Sequence, residues 1–220
     1  MNSIENKLYI NDGNDKLLSL ITKKNIRVLD IGCGGGNARI LYQANHTLDG
    51  ITISEKEKEE NSAFFRSIVI HNIEQGLPSE FIENTYDYVL CSHVLEHICY
   101  PEKILNDIKN VLSDDGLLIV ALPNIMHYKS RLSLIAGNFD YQETGIWDYT
   151  HFKWYTFKSA RQLLERHSYR VIHEIADGEL PLNSIFSKVL PHRLRKALYT
   201  LLTKLSKGLF GYQMILVASK

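Results

Sequence analysis

Val28-Leu29-Asp30-Ile31-Gly32-Cys33-Gly34-Gly35-Gly36 is an apolar β run that carries a carboxylate and opens at once into a glycine loop. Ile26, Val28, Leu29 and Ile31 read as a buried strand. The glycines at 32, 34, 35 and 36 let the backbone turn sharply and approach a ligand closely, at an entropic cost that a bare turn does not require. A helix starts near Asn37, through Ala38, Ile40 and Leu41, so its N-terminal amides point into the same space. Strand, glycine loop and helix together point to a nucleotide-like cofactor.

The acid selects among such cofactors. A dinucleotide fingerprint, Gly-x-Gly-x-x-Gly, lays backbone amides on a pyrophosphate. Here Gly32-x-Gly34-x-x-Asn37 lacks the third glycine, and Asp30 is poorly placed beside a pyrophosphate. It suits a cofactor with an ammonium or sulfonium group. The stretch resembles motif I of class I S-adenosylmethionine-dependent methyltransferases, Asp-x-Gly-x-Gly-x-Gly, at Asp30, Gly32, Gly34 and Gly36.

Around this loop, apolar runs alternate with helical patterns. Strands are expected over 48–53, 66–71, 86–91, 117–122, 168–175 and 212–218. A short helix is expected at 14–23, and others after the Ser54…Glu57 capping pattern, from Pro101 to Leu112, and over 156–166. Asp114-Asp115-Gly116 reads as a turn. The rhythm breaks at 123–155, an insert rich in aromatics, His and Asn. The alternation implies a parallel sheet with helices on both faces, in a single domain over 1–220.

Length and composition suit one α/β domain with an ordinary core. The N-terminus lacks a basic-then-apolar signal pattern, and no apolar run reaches the roughly 20 residues that span a bilayer. The three cysteines, Cys33, Cys91 and Cys99, follow no metal or disulfide spacing, which suits a cytoplasmic protein with reduced thiols. Net charge is zero, yet no Asp or Glu follows Glu179, while Lys188, Arg193, Arg195, Lys196, Lys204, Lys207 and Lys220 do. This asymmetry points to an anionic surface or substrate near the C-terminus. Residues 180–210 form a basic amphipathic helical region broken at Pro191. It can pack on the domain, lie on a membrane surface through 185–210, or mediate a homodimer. Nucleic acid is not expected as a substrate, because the basic charge sits in that one tail.

The resemblance extends along the chain. Tyr86-Asp87-Tyr88-Val89…Leu95-Glu96-His97, Val111-Leu112…Gly116 and Pro123-Asn124 look like the family's later segments. The run Asn138-Phe139-Asp140-Tyr141…Asp148-Tyr149-Thr150-His151-Phe152 resembles a bacterial subgroup associated with surface-polysaccharide and secondary-metabolite pathways. What the resemblance implies is a Rossmann-like seven-stranded sheet in the order 3-2-1-4-5-7-6, last strand antiparallel, with an insert after strand 5. It implies S-adenosylmethionine as cofactor and S-adenosylhomocysteine as product. It implies that Asp30, Gly32, Cys33, Gly34 and Gly36 hold the methionine end, with Cys91 and His93 beside it, and that Asn72 and Ile73 hold the adenine. At the end of strand 2 the family carries an acid for the ribose hydroxyls. This chain has Thr52, and Glu55 is a residue that could reach in.

Methyl transfer to a hydroxyl needs a base. His151, three residues after Asp148, is the first candidate, with Asp148 orienting its ring, and His127 is the second. Tyr128, Arg131, Tyr141 and Trp147 are candidates for acceptor binding. His93 and His97 have helical ligand spacing but no third ligand, so no metal is expected. The sequence thus reads as a methyltransferase acting at oxygen on a small-molecule or glycan-type acceptor. A nicotinamide-dependent oxidoreductase and a non-catalytic cofactor-binding module stand as alternatives.

Overall fold

Strands β1 (Arg27–Ile31), β2 (Thr47–Thr52), β3 (Ser67–Ile70), β4 (Tyr86–Ser92), β5 (Leu112–Pro123), β6 (Arg170–Asp177) and β7 (Gln213–Ser219) form a sheet in the order β3-β2-β1-β4-β5-β7-β6. The first five pair in parallel, and β7 runs antiparallel to both β5 and β6. This is the expected topology. The structure, a computed structural model, describes residues 13–220, so the N-terminal stretch read for a signal pattern lies outside the described residues.

The continuous apolar runs have a direct cause. Central parallel strands are buried on both faces, so successive residues enter different cores. Leu29, Ile31, Val89, Cys91, Leu118, Val120, Met214 and Leu216 share one cluster. Val28, Tyr88, Leu90, Ile119, Ala121, Ile215 and Val217 share the other.

Helices α1 (Asp15–Leu18), α2 (Gly36–Gln43), α3 (Glu55–Asn61), α4 (Ser79–Ile82), α5 (Glu102–Val111), α6 (Tyr128–Ile135), α7 (Phe157–Arg166), α8 (Asn183–Val189), α9 (His192–Leu205) and α10 (Lys207–Phe210) follow in chain order. α5 and α7 cover the first cluster through Ile104, Leu105, Ile108, Ala160 and Leu164, while α2 covers the second through Ala38 and Leu41. Ser54 caps α3 by accepting from the Glu57 N–H, and Thr156 caps α7 by accepting from the Ser159 N–H.

Three expectations change. Asp114-Asp115-Gly116 is not a turn between elements: β5 runs from Leu112 to Pro123, and Ser113–Gly116 bulge out where Tyr86 pairs with Leu112 and Tyr88 with Leu117. Lys220 anchors the bulge, its Nζ donating to the Leu112 carbonyl at 2.9 Å and pairing with Asp114 at 3.1 Å. The first helix is one turn, closed by Asn14, whose side chain accepts from the Leu17 N–H. The insert contains α6, which showed no helical stripe because Leu132, Leu134 and Ile135 all face solvent.

Candidate active site

A cleft of about 1620 Å³ opens at the carboxyl edge of the sheet, with Gly32, Gly34 and Thr52 at one end and Asp148, Thr150 and His151 at the other. Its size leaves room for a cofactor and an acceptor together.

The glycine loop is shaped by two left-handed residues, Gly32 at φ 71° and Gly35 at φ 72°. A Cβ at Gly32 would collide with the Val94 side chain, and one at Gly35 with Asn61. The Gly32 and Cys33 amides both donate to the Ile51 carbonyl, which fastens the loop to the end of β2. Asn37, where a dinucleotide fold keeps a glycine, accepts from the Asn14 N–H at 2.8 Å and ties the preceding segment across the loop.

Of the expected cofactor residues, Gly32, Gly34, Thr52, Asn72, Ile73 and His93 line the cleft. Asp30, Cys33, Gly36 and Cys91 do not appear on its wall. Asp30 is 2% exposed, directly behind the loop. Burial, and then the charge of Glu57, push its pKa up to about 7. Burial likewise raises the thiols of Cys33 and Cys91, so neither is a ready thiolate.

At the end of β2, Thr52 bonds as donor and as acceptor. Its Oγ1 donates to Glu57 Oε2 at 2.6 Å and accepts from the Ser54 N–H at 3.1 Å. Glu57 is buried and lines the cleft, whereas Glu55 is exposed and does not. Asn72 caps a short turn by accepting from the Glu74 N–H at 3.0 Å, and Glu74 in turn accepts from the Cys99 N–H at 2.8 Å.

At the other end, β4 exits into His93, a non-glycine residue at φ 57°. Its Nδ1 lies 3.3 Å from Glu96 Oε1 and its Nε2 2.9 Å from Gln213 Oε1. Burial disfavours charge on His93, but the Glu96 carboxylate and the Gln213 bond outweigh it and raise its pKa. His151 Nδ1 lies 3.1 Å from the Ile146 carbonyl. A carbonyl only accepts, so Nδ1 carries the proton and Nε2 keeps the lone pair. Burial lowers the His151 pKa, with Glu96 pulling the other way.

Asp148 bonds Thr150 and also acts on His151 through its charge. Its Oδ1 accepts from Thr150, from Oγ1 at 2.7 Å and from the N–H at 2.9 Å. Thr150 Oγ1, having donated, accepts from His97 Nδ1 at 3.0 Å. The carboxylate therefore orients His97 through Thr150, and the Ile146 carbonyl orients His151. The His97 and His151 rings meet edge to face with centroids 4.7 Å apart. One ligand-type atom each from Glu96, His97 and His151 lie within 4.8 Å of one another, so this group, among the described residues, could hold a small cation. The pair weighed in the sequence, His93 and His97, is divided: His93 pairs with Glu96 and Gln213, and His97 with Thr150.

Several candidates fall elsewhere. His127, Tyr128, Arg131, Tyr141 and Trp147 do not line the cleft. His127 is buried against Tyr128 and Tyr212, and burial, then Lys129, push its pKa down to about 4. Arg131 Nε donates to the Met126 carbonyl at 2.7 Å. Tyr141 and Trp147 both pack on Phe139.

The basic tail forms one wall of the cleft, with Arg195, Lys196, Tyr199, Thr203, Lys204 and Lys207 facing it. Leu194, Leu198, Leu201 and Leu205 of α9 are exposed, Leu205 to 73%. The helix thus turns its polar side inward and leaves an apolar row in solvent. Glu57, Gln213 and these basic residues lay outside the expected site. Only the charge asymmetry after Glu179 signalled any of them.

A family model described as a methyltransferase domain matches residues 7–174. A ubiquinone biosynthesis O-methyltransferase of Glaesserella parasuis is 32% identical over 123 residues, half of each chain. An uncharacterized protein of Methanocaldococcus jannaschii is 38% identical over 105 residues, 46% of this chain and 43% of that one. The chain spans about half the length of the curated relatives it matches. A SAM dependent methyltransferase from Archaeoglobus fulgidus shares the fold with TM-score 0.63 and 21% identity, over 88% of this chain and 86% of that one. Magnesium protoporphyrin IX methyltransferase from Synechocystis, solved with bound SAH, does so with TM-score 0.61 and 18% identity, over 94% and 81%.

Proposed function

The chain belongs to the methyltransferase domain family, and from that premise we propose that it moves a methyl group from S-adenosylmethionine to an oxygen of a small-molecule or glycan-type acceptor. One observation carries the choice of oxygen. His151, with its proton fixed on Nδ1 by the Ile146 carbonyl, faces the same cleft as the glycine loop.

The donor set fits the cofactor. Asp30 and Glu57 are buried carboxylates close enough for one to raise the pKa of the other. A ligand that brings an ammonium and hydroxyl donors relieves both. Gly32 and Gly34 would hold the methionine end beside His93, with the Asp30 charge behind the loop, and Asn72 and Ile73 would hold the adenine. When bound, S-adenosylmethionine supplies a sulfonium methyl whose transfer leaves a neutral thioether, so the enzyme's work is mainly alignment and desolvation. His151 Nε2 takes the acceptor's hydroxyl proton as the oxygen–methyl bond forms. Thr150, held by Asp148, keeps the neighbouring His97 ring in place.

The tail bears on the acceptor. Arg195, Lys196 and Lys204 along the cleft suit an anionic group. The exposed leucine row of α9 suits a peripheral contact with a membrane surface, on its cytoplasmic face. No helix among the described residues is long and apolar enough to cross a membrane. Both features favour a lipid-linked acceptor, a glycan precursor of a polysaccharide pathway first. The ubiquinone biosynthesis relatives favour a second reading, a prenylated phenol.

The test is incorporation of radiolabelled methyl into lipid extracts by wild type and His151→Ala. Label in a glycolipid fraction supports the first acceptor and label in a quinol fraction the second. Label that persists undiminished in His151→Ala excludes His151 as the base.

A further inference from the structure

We propose that Glu57, held by Thr52, is the residue that accepts hydrogen bonds from the ribose hydroxyls of the cofactor. The inference rests on the S-adenosylmethionine reading. In open α/β sheets the sugar of a nucleotide-type cofactor meets an acid at the end of the second strand, about 20 residues after the glycine loop. In this chain that position is a threonine. β2 is in register with β1, Ile51 opposite Ile31, and the Gly32 and Cys33 amides close on the Ile51 carbonyl. Thr52 therefore stands at the loop, level with the place a sugar would take.

Thr52 cannot serve the sugar by itself. Its one proton goes to Glu57 Oε2 at 2.6 Å, and its oxygen already accepts from the Ser54 N–H. A vicinal diol offers two donors and needs a group that can accept both. Glu57 is such a group. It is buried, it lines the cleft, and its carboxylate is aimed back at the strand end. The usual capping arrangement would send a side chain in this helical position to the Ser54 N–H. Here Thr52 takes that N–H and Glu57 is turned toward the cleft corner. Thr52 is then a positioning residue and Glu57 the acceptor.

The test is calorimetric titration of wild type, Glu57→Gln and Thr52→Val with S-adenosylhomocysteine and with an analogue lacking both ribose hydroxyls. Glu57→Gln is expected to weaken S-adenosylhomocysteine by about 10- to 100-fold, while the analogue binds wild type and variant alike. Thr52→Val is expected to show the same selectivity with a smaller loss, and it decides the matter if Glu57→Gln does not fold. Equal losses for both ligands, or no loss for either, overturn the proposal. Failure of wild type to bind S-adenosylhomocysteine overturns the cofactor reading, and the proposal with it, and is distinguished by the absence of any binding to compare.

Discussion

His151 Nδ1 lies 3.1 Å from the carbonyl oxygen of Ile146, and that contact fixes the tautomer of the ring. The nitrogen left basic is Nε2. Replacing His151 by Ala should lower turnover by about 10²- to 10⁴-fold and leave S-adenosylhomocysteine affinity nearly unchanged. Burial lowers the His151 pKa, so the base stays neutral to lower pH than an ordinary histidine. The acid limb of kcat/KM for wild type should therefore fall below pH ~6.5. An acid limb above that value would argue for a different base.

Asp30 links binding to protons. Its pKa of about 7 in the folded protein stands above the ordinary carboxylate value of 3.8. From behind the loop, the ionised form favours a ligand ammonium in the cleft through its charge, so below pH 7 binding draws a proton off Asp30. Affinity for S-adenosylhomocysteine should weaken by up to about tenfold per pH unit below that point, with proton release seen as a buffer-dependent heat. The same raised pKa acts on folding with a fixed sign. The folded state holds a proton that the unfolded state has lost, so this group's contribution to stability falls as pH rises from about 4 to about 7. The thermal midpoint of Asp30→Asn should gain on wild type between pH 5 and pH 8. A constant difference would contradict the assignment.

Gly32 combines a left-handed φ with a Cβ direction blocked by Val94. Gly32→Ala should cost about 2–4 kcal/mol in urea unfolding, strain and overpacking together. A cost near zero would mean that the loop relaxes freely.

The outward leucine row predicts a surface contact. Leu201→Glu with Leu205→Glu should abolish co-sedimentation with anionic vesicles and leave S-adenosylhomocysteine binding unchanged. Undiminished sedimentation would remove α9 from the contact.

The strands were legible because both-face burial writes itself as unbroken apolar runs, as in Val28–Ile31 and Leu118–Leu122, while their order was legible only through the resemblance of the glycine loop and later segments to a known family. The bulge at Ser113–Gly116 was not, because an acidic Asp-Asp-Gly looks the same in a turn and in a looped-out strand edge held by a distant Lys220. Glu57 was legible as part of a cap, yet its second partner, Thr52, lies before the cap and only the fold aims the carboxylate at it. The insert misled through composition. Tyr141 and Trp147 suggested stacking on a ligand, and both pack on Phe139. His151 ranked ahead of His127 in sequence, and the fold separates them further, because both are buried but only His151 lines the cleft, while His127 packs on Tyr212. The tail's charge asymmetry was visible, but not which side of α9 would face the cleft.

Calorimetric titration of the wild-type chain with S-adenosylhomocysteine and, separately, with NAD tests the central claim most directly. The expected result is saturable binding of S-adenosylhomocysteine at one site, with affinity that weakens below pH 7, and no response to NAD. Binding of NAD with no response to S-adenosylhomocysteine would contradict it.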